Sequence, residues 1–173
     1  MSALPPLIRE RPDDAALVEG LIDRAFGPGR HAKTAERLRE GRTPILALSF
    51  VAWADGRAVG CVRQWAITIG PVPALLLGPF AVDADYRARG LGAALIRRAR
   101  AAASEAGRDT ILLVGDAAYF GPLGFVAAAD RGIVMPGPVD QGRVLLSAPE
   151  GAAPVGRVQP LGPLRLAQTA QAR

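Results

Sequence analysis

The sequence predicts an α/β domain in which helices flank a central sheet. Three observations carry that prediction. Half of the 173 residues are apolar, enough to bury the core of one compact domain. Two β-rich runs meet at Asp55-Gly56, one of the strongest short hairpin signals. A helix-spaced segment from residue 90 to about 106 lies between two continuous apolar runs, 74–82 and 109–115, each of the kind expected for a buried strand.

In chain order, residues 7–10 read as a short strand. Asp13 or Asp14 can cap a helix that carries Ala16, Leu17, Leu21, Ile22 and Phe26 at helical spacing, and Gly27-Pro28-Gly29 stops it. A second short helix is expected over 35–40. Strands at 45–54 and 57–69 form the hairpin. After Gly70-Pro71, the run "ALLLGPFAV" at 74–82 is interrupted by Gly78-Pro79. Proline has no N–H for a ladder, so a bulge or a parting of strands is expected there. The helix from Gly90 follows, with Leu91, Leu95, Ala99 and Ala102 on its apolar face and Arg97 and Arg100 on a solvated one. Gly107 ends it. A short helical turn within 116–125, a strand opened by Gly124-Phe125, a loop over 130–142 and a strand at 143–147 complete the domain, 1–149. Residues 150–173, rich in Pro, Gly, Ala and Gln, are expected to form an irregular tail.

Composition narrows the function classes. The formal charge is +5, but Lys33 is the sole lysine, and arginine with abundant Ala, Gly and Pro suggests a GC-rich coding bias rather than a nucleic-acid surface. No aromatic residues interleave with the arginines as base stacking requires. Cys61 is the only cysteine, so neither an internal disulfide nor a cysteine-cluster metal site is expected. Cys61, Trp53 and Trp65 read as packing residues. The N-terminal MSALPPLIRERPDD has early charges where a signal peptide needs an apolar run, and no long uncharged apolar segment follows, so no membrane segment and a cytoplasmic location are expected.

The segment 85–103, "DYRARGLGAALIRRARAAA", sets two glycines and several arginines at a helix start. Glycines let backbone N–H groups approach an anion, and the helix N-terminus supplies unpaired donors and a favourable dipole. A dinucleotide fingerprint would need a third glycine where Leu95 stands, and a Walker loop would need Gly-Lys-Ser/Thr; neither is present.

The element order, together with Arg87-Ala88-Arg89-Gly90-Leu91-Gly92 and the later "YFGPLGF", resembles the GNAT superfamily of acetyl-CoA-dependent N-acetyltransferases over residues 5–148. The resemblance implies a mixed, mostly antiparallel sheet whose fourth and fifth strands splay apart. It also implies acetyl-CoA as cosubstrate and direct acetyl transfer to the amine of a small-molecule or peptide acceptor. The backbone of Arg87, Ala88, Arg89, Gly90, Leu91, Gly92 and Ala93 would hold the pyrophosphate. That of Phe80, Ala81 and Val82 would lie beside the pantetheine and the thioester. The family's acid is often a tyrosine four positions before the glycine of the Gly-Phe pair. Phe120 stands there in this chain, and Tyr119, one residue earlier, is the catalytic candidate, although a one-residue shift turns a helical side chain by about 100°. His31 lies in the segment that often walls the acceptor site and is a candidate base or substrate contact, with Glu36, Glu40 and Asp116 as further carboxylates. A coenzyme A-binding sensor without turnover is the alternative. An apolar strand edge near the C-terminus admits a homodimer.

Overall fold

In the computed structural model, which describes residues 4–162, nine strands and three α-helices build a layered α/β domain. The strands are β1 (Leu7–Arg9), β2 (Phe50–Ala54), β3 (Arg57–Ile69), β4 (Val72–Val82), β5 (Ile111–Val114), β6 (Val126–Ala127), β7 (Ile133–Val134), β8 (Val144–Ser147) and β9 (Gly156–Pro160). The helices are α1 (Ala15–Phe26), α2 (Leu91–Glu105) and α3 (Ala117–Phe120). Sheet order is β1-β2-β3-β4-β5-β8-β6, with β9 added to β3 and β7 to β9. Pairing is antiparallel except for β4–β5 and β7–β9.

The β2–β3 turn forms at Asp55-Gly56, both at positive φ (49° and 71°), which matches the right-handed twist of the flanking strands. Helices α1 and α2 pack on opposite faces. Leu91, Leu95, Ile96 and Ala99 of α2 join Phe50, Ala52, Val62 and Leu75 in one core. Val18, Leu21 and Ile22 of α1 join Val51, Cys61 and Ala81 in another. Alternation along β2, with Phe50 and Ala52 to one side and Val51 to the other, is what lets one strand serve both layers.

The central feature is the β3–β4–β5 junction. Val62 pairs with Phe80, and Gln64 with Leu77, so Gly78 and Pro79 together face the single residue Arg63. This is the bulge that the proline demanded. On the other side, β4 meets β5 only through Leu75–Ile111 and Leu76–Leu112. Beyond those pairs the two parallel strands part.

Several expectations are corrected. Residues 46–48 form a 3₁₀ turn, so β2 begins at Phe50 rather than at 45. The helix expected over 35–40 is a 3₁₀ turn over Thr34–Leu38. Leu17 and Phe26 are 53% and 41% exposed, because Val18, Leu21 and Ile22 supply the buried face of α1. Arg100 is no solvated residue: its guanidinium donates to Leu123 O at 2.5 Å and Ser147 Oγ at 2.9 Å and lies 5.3 Å from the Phe125 ring centroid, tying α2 to β8. The tail is not wholly irregular. Ile67–Ile69 of β3 run past the end of β2, and β9 covers that open edge while Val158 enters the core, with part of the expected 130–142 loop pairing outside it as β7. The remainder of the tail, 163–173, lies outside the described residues.

Candidate active site

The parting of β4 and β5 opens a cleft of about 670 Å³, lined by Leu76–Phe80 on one side and Leu113–Asp116 on the other. The helix–turn segments 26–39 and 138–143 wall its far end.

At the near end lies the start of α2. Ala88 (φ 57°) and Gly90 (φ 83°) adopt left-handed conformations, uncommon for the alanine, and turn the loop into the helix. The Arg87 N–H bonds Ala84 O and the Ala94 N–H bonds Gly90 O. Between them the first-turn amides of Leu91, Gly92 and Ala93 have no acceptor within the helix, leaving free donors at the positive end of the helix dipole. Arg87 and Arg89 are both exposed beside it. A side chain at Gly92 would have to displace its neighbours: a Cβ there would overlap the Tyr119 hydroxyl and come within 2.9 Å of Phe80 Cζ.

Tyr119 therefore reaches the site. Asp116 caps α3 by accepting from the Ala118 N–H at 2.9 Å, which fixes the orientation of its single turn. Phe120 then points into the core, T-shaped against Phe125 at 5.9 Å. Tyr119, 42% exposed, lines the cleft 6.0 Å from the Phe80 ring. The one-residue shift is absorbed because α3 is so short: the aromatic at 120 takes the core position, which leaves 119 facing the cleft. Burial pushes the Tyr119 phenol above its usual range, with Arg97 opposing, so it remains a proton donor at neutral and mildly alkaline pH.

The other predicted residues divide. Phe80 lines the cleft. Ala81 is buried against the α1 core and Val82 packs beneath α2, so only their backbones are available to a ligand. His31 does not line the cleft; its side chain is 61% exposed and its Nδ1 is 4.0 Å from Glu36 Oε1. Cys61 is fully buried, and burial pushes its thiol to about 12, so it is a packing residue. Trp65 is buried and donates from Nε1 to Gly78 O at 2.6 Å, holding the bulge.

Sequence reasoning missed an ion chain beneath the cleft. Arg63, opposite the bulge, binds Glu10 through Nε and Nη2 (3.0 and 2.6 Å), with side-chain exposures of only 5% and 1%. Its Nη1 donates to Glu19 of α1. Glu19 also accepts from Arg30 at 2.6 Å, and Arg30 reaches Asp23 at 2.7 Å. The chain fastens the 3₁₀ turn over Pro28–Ala32, part of the cleft wall, to the sheet. Nothing in the sequence unites positions 10, 19, 23, 30 and 63 before the topology does.

These carboxylates predict an acid-sensitive fold. Burial opposes the charge on Glu19, but hydrogen bonds from Arg63 and Arg30 outweigh it and hold the carboxyl below its usual range. The Arg11 guanidinium does the same for Asp14. The unfolded chain takes up protons near 4.5 and 3.8, before the folded chain does. This part of the stability is therefore complete above about pH 5 and is lost as pH falls through the depressed values. Thermal midpoints between pH 7 and 3 should show it as an acid limb that is shallower in Glu19→Gln.

Comparison with known proteins agrees with this geometry. A family model described as an acetyltransferase (GNAT) domain matches residues 47–127. A protein of Escherichia coli (strain K12), the uncharacterized N-acetyltransferase YjhQ, is 32% identical over 133 residues, covering 74% of each chain. Among solved structures, the E. coli GNAT family N-acetyltransferase YhbS in complex with CoA aligns with a TM-score of 0.76 at 26% identity, over 93% of this chain and 92% of that one. A GNAT family acetyltransferase from Brucella melitensis in complex with acetyl-CoA aligns with a TM-score of 0.69, also at 26% identity, over 91% and 96%. The parted parallel strands and the glycine-initiated helix thus sit in a chain that belongs to the GNAT family of acetyltransferases and is an acyltransferase.

Proposed function

We propose that the chain transfers acetyl from acetyl-CoA directly to the amine of an acceptor bound at the far end of the cleft. The observation that carries the reading is the junction at Gly92, where a helix start with unpaired amides, the bulged strand and the Tyr119 phenol meet at one point. The fit to acetyl-CoA is specific: amides of 88–93 with Arg87 and Arg89 suit the pyrophosphate, and the β4–β5 gap suits the pantetheine arm. When bound, the cosubstrate supplies an activated thioester. Backbone N–H groups of β4 near the bulge stabilise the charge that its carbonyl oxygen gains. As the C–N bond forms and the C–S bond breaks, Tyr119 donates its phenolic proton to the departing sulfur, and the proton that the attacking nitrogen sheds restores the phenol. Of the cleft carboxylates, Asp116 and Asp140 cap their own turns and Glu36 pairs with Arg39, so the acceptor ammonium loses its proton to water.

The test is release of coenzyme A thiol from acetyl-CoA on addition of a panel of amines. Amine-dependent release supports the reading, whereas tight acetyl-CoA binding with no release from any amine would favour the sensor alternative. His31→Ala should leave kcat unchanged, against the loss of roughly 10²-fold that removal of a working base gives; steady-state rates with the best amine decide it. Among the described residues, no helix is long and apolar enough to cross a membrane.

A further inference from the structure

The acceptor end of the cleft is built for an anion as well as an amine. Five cationic side chains line it, Arg30, Lys33, Arg37, Arg39 and Arg143, against the three acids Glu36, Asp116 and Asp140. Most of the cations have partners: Arg30 binds Glu19 and Asp23, Arg37 donates to Pro136 O, and Lys33 stacks 4.7 Å over the Phe26 ring.

Arg39 differs. Its side chain is only 9% exposed, yet its one ionic partner among the described residues is Glu36, at 2.9 Å from Nη2. Its Nε is buried with no hydrogen-bond partner. Its Nη1 lies 3.7 Å from the position a Cβ would occupy on Gly78, so the guanidinium is aimed at the bulge. A buried guanidinium nitrogen without an acceptor is costly, and Nη1 on the bulge side is the donor that a ligand can engage. Burial also pulls the Arg39 guanidinium below its usual range, with Glu36 only partly offsetting. A plain amine would meet this wall as a like charge.

We infer that the acceptor is an amino acid: a small amine whose carboxylate is held by Arg39 at the Gly78 bulge, which leaves its nitrogen within a few bonds of the transfer site. The inference rests on the acetyl-transfer reading above. A carboxylate accepts from Nη1, the terminal nitrogen on the bulge side that Glu36 does not engage.

The experiment compares matched acceptors: each proteinogenic amino acid against the amine left by its decarboxylation, with thiol release as readout and calorimetric binding of acetyl-CoA in parallel. In wild type, the best amino acid should exceed its decarboxylated partner by about 10²-fold in kcat/KM, the scale of a lost charged hydrogen-bond pair. Arg39→Met should erase that preference and leave acetyl-CoA affinity unchanged, with Arg39→Lys recovering part of it. Should Arg39→Met fail to fold, the wild-type comparison stands alone. Decarboxylated amines turned over as well as amino acids, or other amines accepted while no amino acid is, would overturn the inference and leave the transfer reading intact. Absence of acetyl-CoA binding would instead overturn that reading.

Discussion

Tyr119→Phe should lower kcat by about 10²-fold or more while acetyl-CoA affinity stays the same, because the change removes one oxygen that donates a proton only as the sulfur departs. The ring remains to pack against Phe80 and Phe120, so folding is preserved. Because burial raises the phenol's pKa, the wild-type rate should rise with pH as the acceptor amine loses its proton and fall only above the ordinary tyrosine range. Tyr119→Phe should lack that alkaline fall. Pre-steady-state thiol release separates this from a defect in product departure. A rate equal to wild type would mean that water protonates the sulfur and Tyr119 only packs.

Arg63→Met should destabilise the protein by about 3–5 kcal/mol, since it leaves Glu10 buried with its partner gone and Glu19 with one fewer donor. For a chain of this size the thermal midpoint should fall by about 6–20 °C. The pair Glu10→Gln with Arg63→Met should recover much of that loss, because the penalty is for an orphaned buried charge rather than for a lost attraction. Scanning calorimetry of wild type and the two variants decides it. Equal losses in the single and double variants would assign the effect to packing alone. Because Arg63 also holds Glu19, and Glu19 holds Arg30 at the cleft wall, acceptor KM should rise in Arg63→Met before acetyl-CoA affinity changes.

Local rules explain which parts of this molecule were legible in its sequence. The Asp55-Gly56 turn, the bulge at Gly78-Pro79 and the start of α2 depend on backbone preferences of the residues that form them, so pattern and position agreed with the structure. Tyr119 was legible as a candidate but not as a placed group. Its direction is set by Phe120 entering the core and by the Asp116 cap, and helical arithmetic from a longer helix does not describe a single turn. The β9 strand was hidden because its Pro- and Gly-rich composition reads as coil, while the reason it pairs is the open edge of β3 more than 85 residues upstream. Arg39 and the Glu10–Arg63–Glu19–Arg30 chain were hidden for the same reason. Their meaning is burial and juxtaposition, and neither has a sequence period.

At the Gly92 junction the helix start, Phe80 and Tyr119 meet. The most direct test of acetyl-CoA binding there is the thermal midpoint with and without acetyl-CoA for wild type and Gly92→Val. A ligand at about 100 times its Kd adds roughly 2.7 kcal/mol, or about 5–11 °C here. The account predicts that shift in wild type and its loss in Gly92→Val, whose side chain would occupy the space between the helix start, Phe80 and Tyr119, with the ligand-free midpoint of the variant still showing a cooperative transition. An equal shift in both proteins, or none in wild type at saturating acetyl-CoA, would contradict it.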